Sequence, residues 1–228
     1  MKEISARLAE IDRRLESGFG VFEASPHELP PVWNLVLTIL SQNTTDASRD
    51  KAFAALRKKY PSFSRLAAAS AQELQDTIRP AGLARTKSAS ILAALSRLKK
   101  EKGRYTLDFL KSMPMEEARA YITSFEGVGV KTANILLLFS FGFPAFPVDT
   151  HVFRVTRRLG LIPRSASPAK AAFLLEPHVP KGGHMRVHMN LIRLGRKICR
   201  SGNPLCQSCP LLKVCPTGGK PASERSPS

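Results

Sequence analysis

The chain has 228 residues, of which 35 are Lys or Arg and 18 are Asp or Glu, so its formal net charge is +17 at pH 7. This length fits one domain or two small ones, and 43% hydrophobic with 23% charged residues excludes a globally disordered chain. Because no apolar run approaches the roughly 20 residues of a membrane span and no secretory signal is present, we expect a cytoplasmic protein with no membrane partner.

The spacing of apolar residues is helical in almost every segment, and no stretch shows the two-residue alternation of a strand. Residues 18–31 are expected to form a connector, and the Pro-, Gly- and Ser-rich residues 216–228 a disordered tail. The sequence therefore predicts an all-α fold. In chain order, the predicted helices cover residues 2–16, 32–40, 46–60, 71–79, 86–102, 115–124, 129–141, 150–159, 168–175 and 185–199.

The positive charge is concentrated in the second half of the chain. Residues 127–228 contain 15 Lys or Arg and only three acidic residues, whereas residues 1–126 contain 20 basic and 15 acidic residues. A surface with this charge favours a polyanionic partner, and nucleic acid is the expected one. The alternative is an excess of basic residues that only keeps the protein soluble.

All four cysteines, Cys199, Cys206, Cys209 and Cys215, lie within 17 residues in the pattern C-x6-C-x2-C-x5-C. A disulfide framework usually closes longer loops, so this clustering favours a metal site with four thiolate ligands. The pattern has only one C-x2-C pair, whereas zinc ribbons usually have two. The spacing by itself leaves zinc and iron–sulfur both open.

Residues 125–134, with the sequence FEGVGVKTAN, place Gly127, Val128 and Gly129 in a turn between two predicted helices. Glycine allows a ligand to approach the backbone closely, and the free N–H groups at a helix start suit a phosphate. A simple turn between helices is the alternative interpretation.

Lys131 lies in the first turn of the helix that follows this turn. The positive end of the helix dipole disfavours a charged ammonium there. It therefore favours the neutral amine, which is a nucleophile able to form a Schiff base. A solvated lysine or a plain phosphate contact remains the alternative.

Asp149 precedes a predicted helix that contains His151 and Arg154. An Asp at this position is most often an N-cap. It is also a candidate carboxylate for stabilising a developing cation or assisting proton transfer, and the two roles are compatible. His151 is a further candidate, although a histidine near a helix start often serves packing.

These motifs in combination resemble the endonuclease III family of DNA glycosylases, within the helix-hairpin-helix superfamily. The resemblance rests on GVGVKTAN, PVDTHVFR and the cysteine pattern, and it extends to LSQNTTD at residues 40–46 and AGLARTKSASI at residues 81–91. The matches occur in the family's order and cover roughly residues 32–215.

The resemblance implies a helix-hairpin-helix DNA glycosylase fold with two helical domains flanking a DNA-binding cleft. Residues 31–143 would form a helical barrel domain with the hairpin, and residues 1–30 plus 144–215 an iron–sulfur domain. Lys131 matches the family's nucleophile and Asp149 its essential aspartate. The four cysteines match the ligands of a [4Fe–4S] cluster.

The family also implies which residues contact DNA. Leu83 matches a wedge that fills the DNA stack after a base is extruded. The full set of DNA-binding candidates is Gln42, Asn43, Leu83, Arg85, Lys87, Gly127, Val128, Gly129, His151 and Arg154.

The activity that the resemblance implies is that of a bifunctional base-excision glycosylase with AP-lyase activity. It would remove damaged, oxidised pyrimidines from double-stranded DNA, or act at abasic sites, as a monomer in a bacterial or archaeal cytoplasm in association with the nucleoid. The family usually has Gln where this chain has Asn43, which leaves open a mismatch or uracil glycosylase of the same superfamily. A non-catalytic iron–sulfur protein that binds DNA is a further alternative.

Overall fold

The computed structural model describes residues 2–20 and 29–218. Within these ranges the secondary structure is helical, with no strand, so the prediction of an all-α fold is confirmed. The α-helices are α1 (Lys2–Phe19), α2 (Pro31–Leu40), α3 (Asp46–Lys59), α4 (Phe63–Ala67), α5 (Ala71–Ile78), α6 (Ala84–Lys102), α7 (Met115–Thr123), α8 (Val130–Phe141), α9 (Thr150–Arg158), α10 (Pro168–Leu175) and α11 (His184–Lys197). Short 3₁₀ segments cover Arg79–Ala81, Asp108–Ser112, Glu176–His178, Cys206–Ser208 and Leu212–Val214.

The helix boundaries differ from the sequence prediction in a few places. The five-residue helix α4 was not predicted, because one turn is too short to show a period. Helix α6 begins two residues earlier than expected, directly after Leu83, which has a left-handed backbone conformation. Most of the expected connector, residues 21–28, and the tail from residue 219 onward lie outside the described residues.

The chain divides into two compact units. The hairpin unit consists of residues 27–143, and the cysteine unit consists of residues 1–26 and 144–228. The hairpin unit is continuous in sequence, whereas the cysteine unit combines both ends of the chain. The assignment of a barrel role and an iron–sulfur role to these parts stays a prediction.

Helices α2 and α8 form the centre of the hairpin unit. Both helices are strongly apolar and pack against each other. Leu35 and Ile39 of α2 are 1% exposed, and Leu136 and Leu137 of α8 are fully buried. Each such side chain stabilises the fold by about 1.5–3 kcal/mol relative to an exposed position. This core fixes the start of α8, where Lys131 lies.

A buried polar contact joins the two helices of the hairpin. Arg119 of α7 is 4% exposed and donates from Nε to Oδ1 of Asn134 in α8, at 2.9 Å. The same guanidinium pairs with Glu116. Because a buried cation needs such partners, this contact constrains the angle between α7 and α8 and thereby the turn that connects them.

The cysteine unit is built on the pairing of α1 with α11 and of α9 with α11. The predicted apolar stripe of α1 is present, with Leu8 and Leu15 fully buried. Arg186 of α11 binds Asp12 of α1 through two hydrogen bonds of 3.1 and 2.5 Å. The hydrogen bonds with Asp12 raise the pKa of Arg186. This ion pair fixes the N-terminal helix on α11.

No helix within the described residues is long and apolar enough to cross a membrane.

Candidate functional site

The two glycines of the turn before α8 differ in what their missing side chains do. Gly127 has φ +76°, and a Cβ built there would lie 2.5 Å from Oγ of Ser90 in α6. Gly129 has φ −93°, and an added Cβ would meet no atom within 4 Å. Gly127 is therefore needed for the backbone conformation and for close packing on α6. At Gly129, the missing side chain leaves the start of α8 open to a ligand.

Lys131 is exposed in the first turn of α8. The N-cap residue Gly129 provides no side-chain hydrogen bond, and the first turn has no acidic residue. The free N–H groups of this helix start are therefore available to an anion such as a phosphate, with an amine beside them. Val128, the middle residue of the turn, is 6% exposed, so the turn is anchored by its side chain.

Two further loops of the hairpin unit carry exposed tips. Asn43 has φ +49° and Leu83 has φ +48°, and they are the non-glycine residues with positive φ in the described part of the chain. Leu83 is 56% exposed, which is unusual for a large apolar side chain. Arg85, next to this tip, is also exposed. An exposed leucine on a strained turn has the properties of the predicted wedge.

Two of the predicted DNA-binding side chains in the hairpin unit have partners inside that unit. Gln42 donates from Nε2 to the carbonyl of Gly127 at 3.0 Å and to Oγ1 of Thr132 at 3.3 Å. Lys87 is 2% exposed and donates from Nζ to two main-chain carbonyls. The expectation that Lys87 contacts DNA is therefore corrected, because its ammonium is buried inside the hairpin unit.

Asp149 lies at the start of α9 in the cysteine unit. Its Oδ1 accepts a hydrogen bond from the N–H of Val152 at 2.7 Å, so it is the N-cap of this helix. Its second carboxylate oxygen is not used for the cap. The expected compatibility of the two roles is thus geometrically possible, because one oxygen caps the helix and the other is left for chemistry.

The segment before Asp149 is held by two residues that sequence reasoning missed. Glu176 accepts a hydrogen bond from the N–H of Phe146 at 2.9 Å. His188 of α11, which is 3% exposed, donates from Nδ1 to the carbonyl of Pro147 at 3.0 Å. Both contacts link positions at least 30 residues apart, so the sequence pattern contains no signal for them.

Arg154 of α9 is directed to the protein main chain. Its guanidinium donates to the carbonyl of Cys199 at 3.0 Å, to the carbonyl of Gly195 at 2.9 Å and to Nδ1 of His151 at 3.1 Å. Burial is the main cause that lowers the pKa of Arg154. Its expected role as a phosphate contact thus competes with a structural role that joins α9 to the cysteine loop.

The four cysteines form no disulfide with one another and line one cavity, together with residues that include Arg158, Ile198 and Leu212. Burial raises the pKa of the Cys209 thiol to about 11 and also raises that of Cys215. Main-chain hydrogen bonds to both sulfurs act in the opposite direction and lower these pKa values in part. Within residues 2–20 and 29–218, no three His, Cys, Asp or Glu side chains are arranged to hold a single metal ion.

The shared cavity and the donor set fit a group with four thiolate ligands. Sulfur ligands of this number are typical of iron–sulfur clusters and of structural zinc. A cation or cluster would stabilise the thiolate forms that burial disfavours. The cysteine loop is therefore the candidate site for such a group.

Comparison with known proteins gives the family. A family model for HhH-GPD superfamily base excision DNA repair proteins matches residues 36–181, more than half of the chain. Proteins named endonuclease III from Thermotoga maritima and Bacillus subtilis are 34% and 35% identical over 198 and 197 residues, respectively. These alignments cover 85% and 86% of this chain, and 86% and 84% of the relatives. The chain belongs to the endonuclease III family.

An Arabidopsis thaliana relative, whose name includes the words DNA glycosylase, is 36% identical over 166 residues. The chain spans 56% of the length of that plant protein. The bacterial endonuclease III proteins are thus similar over nearly their whole length, and the plant protein over little more than half of its own.

Solved structures of endonuclease III share the fold. One structure of a non-covalent endonuclease III–DNA complex and one of a trapped endonuclease III–DNA covalent intermediate each have a TM-score of 0.81 and 30% identity. Each match covers 94% of this chain and 96% of the other. A thermostable thymine-DNA glycosylase has a TM-score of 0.74 at 21% identity, a likeness that shows the fold alone.

Membership of the endonuclease III family gives context to the residues described above. The match to residues 36–181 includes the hairpin turn, Lys131 and Asp149. The structure places Lys131 with Asn43 and Leu83 in the hairpin unit, and Asp149 with the four cysteines in the cysteine unit. The roles of these individual residues remain predictions.

Proposed function

We propose that this protein is a bifunctional DNA glycosylase and AP lyase of base excision repair, with Lys131 as its nucleophile. The observation that carries the proposal is an exposed lysine amine beside an uncapped helix start, in a chain 30% identical to an endonuclease III that has been trapped covalently on DNA. Endonuclease III relatives at 32–35% identity support this activity.

Damaged double-stranded DNA is the proposed partner, as in the endonuclease III–DNA complex. The sugar carbon C1′ of a damaged nucleotide is hidden in the base stack, so the nucleotide has to be rotated out of the duplex at a cost of a few kcal/mol. Insertion of Leu83 into the gap offsets part of this cost by restoring contact with neighbouring bases. The start of α8 binds a backbone phosphate through its free N–H groups and holds the strand.

The chemistry begins with the amine of Lys131 in its neutral form. Its lone pair attacks C1′, the bond from C1′ to the base breaks, and the bond electrons leave with the base, which takes up a proton. Loss of an amine proton and opening of the sugar ring give a Schiff base between Lys131 and C1′. The Schiff base makes the C2′ proton acidic, and removal of that proton expels the 3′ phosphate and cuts the strand.

Asp149 has an electrostatic role in this scheme. The bond to the base breaks with positive charge developing on the sugar, and an ionised carboxylate stabilises that charge. One oxygen of Asp149 is fixed by the N–H of Val152, which sets the orientation of the other. Glu176 and His188 hold the preceding main chain, so the carboxylate has little freedom to reorient.

We propose that Cys199, Cys206, Cys209 and Cys215 bind a [4Fe–4S] cluster. When bound, the cluster supplies four metal–thiolate bonds that fix the fold of the loop. The loop is joined to α9 through Arg154 and through Arg158, whose guanidinium donates to the carbonyls of Arg200 and Ser201. Iron and sulfide analysis of protein prepared without oxygen tests this assignment, and a zinc-loaded protein would reject it.

Oxidised pyrimidines are the proposed lesions, and a monomer in the cytoplasm is the proposed state. The second candidate is a glycosylase for uracil or mispaired thymine, because Asn43 occupies an exposed tip where the family usually has Gln. A panel of duplexes with oxidised pyrimidine, uracil or mispaired thymine separates the two candidates. Light scattering measures the mass in solution.

The decisive test is trapping with borohydride, which reduces a Schiff base to a stable adduct. The native protein should form a covalent complex with a duplex that contains an abasic site, and Lys131→Gln should form none. Lys100→Gln, an exposed position on α6, is the matched control and should trap DNA as well as the native protein does. An undiminished adduct in Lys131→Gln would reject Lys131 as the nucleophile.

The net charge of +17 gives a further test through salt dependence. If about 6–8 phosphates are contacted, the slope of log affinity against log salt concentration should be about −5 to −7. A slope near zero would exclude binding dominated by the DNA backbone.

A further inference from the structure

The two exposed tips of the hairpin unit share one unusual backbone feature. Asn43 and Leu83 have φ values of +49° and +48°, and they are the non-glycine residues in this conformation within residues 2–20 and 29–218. A left-handed conformation is costly for a branched residue such as leucine and persists only where surrounding contacts impose it. Something in the structure therefore holds both tips.

Lys87 contacts the main chain directly before each tip. Its Nζ donates to the carbonyl of Leu40 at 2.8 Å and to the carbonyl of Ala81 at 2.8 Å. Leu40 is the last residue of α2, three residues before Asn43. Ala81 ends the 3₁₀ segment two residues before Leu83. One ammonium thus joins two loops whose sequences are about 40 residues apart.

Burying the ammonium of Lys87 costs free energy, so its position depends on specific hydrogen-bond partners. The side chain is 2% exposed, and burial lowers its pKa. Carbonyls at the end of a helical segment lack partners within the helix and carry the negative end of its dipole, so an ammonium is well placed there. A lysine that served only packing would not need to desolvate its amine, because a methionine would fill the same space.

Lys87 also belongs to the apolar side of its own helix. It lies four residues before Ile91 and eleven before Leu98, both fully buried, so it cannot leave this position without exposing the side of α6 that faces the core. Asn43 and Leu83 themselves are exposed. The arrangement therefore has a buried base and two exposed tips.

We propose that Lys87 is a positioning residue that holds the Asn43 and Leu83 tips at a fixed spacing before DNA binds, so that both enter the base stack together. The inference rests on the proposed function, since it assigns these tips to the opening of DNA. Lys87 does not touch the substrate, and its effect is on the step in which the damaged nucleotide leaves the stack. Preset tips avoid the entropy cost of ordering two separate loops during that step.

The test removes the ammonium of Lys87 and keeps a side chain of similar volume. Lys87→Met removes both hydrogen bonds, and Lys100→Met, on the exposed side of the same helix, is the matched control. Both changes are made in the Lys131→Gln background, so that opening of DNA is separated from chemistry. The probe is a duplex with an abasic site next to 2-aminopurine, whose fluorescence rises when it is unstacked, followed by stopped flow.

We expect the rate of the fluorescence rise to fall about 10- to 100-fold with Lys87→Met, the range that small misplacements of working groups produce. Lys100→Met should leave the rate unchanged. With Lys131 restored, Lys87→Met should lower kcat on duplex DNA with little change in KM. A fluorescence rate equal to that of the control, or a change in KM alone, would overturn the proposal.

Two further measurements keep the outcomes distinct. If Lys87→Met does not fold, as judged by its melting curve, Lys87→Gln keeps an uncharged N–H donor group on a shorter side chain and should give a smaller loss of the same kind. In a Leu83→Ala background the effect of either change should shrink, because the tip it positions is absent; an undiminished effect contradicts the proposal. If the Lys131→Gln parent itself gives no fluorescence rise, the proposed function fails rather than the role of Lys87.

Discussion

The starts of α8 and α9 carry the two residues proposed for the chemistry, and they are built in opposite ways. Helix α8 begins after Gly129 with no side-chain cap and with Lys131 exposed in its first turn. Helix α9 is capped by Asp149, which accepts from the N–H of Val152. The first start leaves its N–H groups open to a ligand, and the second uses a carboxylate of its own.

The positive end of a helix attracts anions, by about 0.3–1 kcal/mol for an exposed group. At α8 that end is left for a bound phosphate, whereas at α9 it is occupied by the carboxylate of Asp149. The same backbone element thus offers a binding site in one unit and holds a side chain in the other.

The largest expected effect separates the cap from the charge at α9. Asn caps helices as well as Asp does, so Asp149→Asn should change the free energy of unfolding by less than about 0.5 kcal/mol. Loss of the carboxylate should lower the rate of base excision by about 10²–10⁴-fold. Single-turnover excision and thermal unfolding measure the two quantities. A large loss of stability with a matching loss of activity would mean that Asp149 serves only as a cap.

A second prediction distinguishes the two glycines of the hairpin. Gly127→Ala places a methyl group at φ +76° and 2.5 Å from Oγ of Ser90, so the free energy of unfolding should fall by about 1–3 kcal/mol. Gly129→Ala, where a Cβ meets no atom within 4 Å, is the control and should leave stability nearly unchanged. Equal melting temperatures for the two variants would contradict the role of Gly127.

A third prediction gives α8 the kind of cap that α9 has. Gly129→Asp should raise stability by a few tenths of a kcal/mol, because Asp caps slightly better than Gly. It should also weaken binding to abasic duplex DNA roughly tenfold, which corresponds to about one lost charge-assisted hydrogen bond. Comparing the DNA affinities of Gly129→Asp and Gly129→Ala isolates the effect of the carboxylate from that of adding a side chain. Unchanged affinity would show that this helix start does not bind phosphate.

The smallest expected effect concerns pH. Burial lowers the pKa of His184 below its ordinary value of 6.5, although its Nε2 donates to the carbonyl of Glu176. Between pH 6.5 and the lowered value the unfolded chain binds a proton that the folded protein does not, so stability falls as pH decreases through this range. His184→Gln should reduce that slope. Urea denaturation from pH 7 to pH 5 measures it, and identical slopes in the two proteins would exclude His184 as its source.

Much of this architecture was predictable from local sequence. The helical period gave the all-α fold, and the motifs around Lys131, Asp149 and the cysteines led to the endonuclease III family, which the comparisons confirm. These features depend on residues close together in the chain. Boundaries were less accurate at α6, because this helix begins directly after Leu83, whose left-handed backbone conformation leaves no trace in the spacing of apolar residues.

The burial of Lys87 could have been predicted from its position on α6, although its charge suggested an exposed residue. Lys87 is in register with Ile91 and Leu98 on the apolar side of α6, where a charged residue needs a buried partner. Its partners are main-chain carbonyls, and every residue has one, so no residue type in the sequence marks them. The same reason hides the contacts of Glu176 and His188 with the segment before Asp149.

The division of the chain into two units affects the order in which its parts can fold during synthesis. The hairpin unit is one continuous segment, whereas α1 and its packing partner α11, both in the cysteine unit, lie on either side of it in the sequence. Synthesis therefore produces α1 before the hairpin unit and α11 after it. Because domains fold as units during synthesis, the hairpin unit can fold on the ribosome before α11 has been made. Until then Leu8 and Leu15 of α1, which are fully buried in the folded protein, have no α11 to pack against. The cysteine loop is completed only after α11. The turn at Gly127, Val128 and Gly129 is therefore synthesised before Asp149 and the four cysteines.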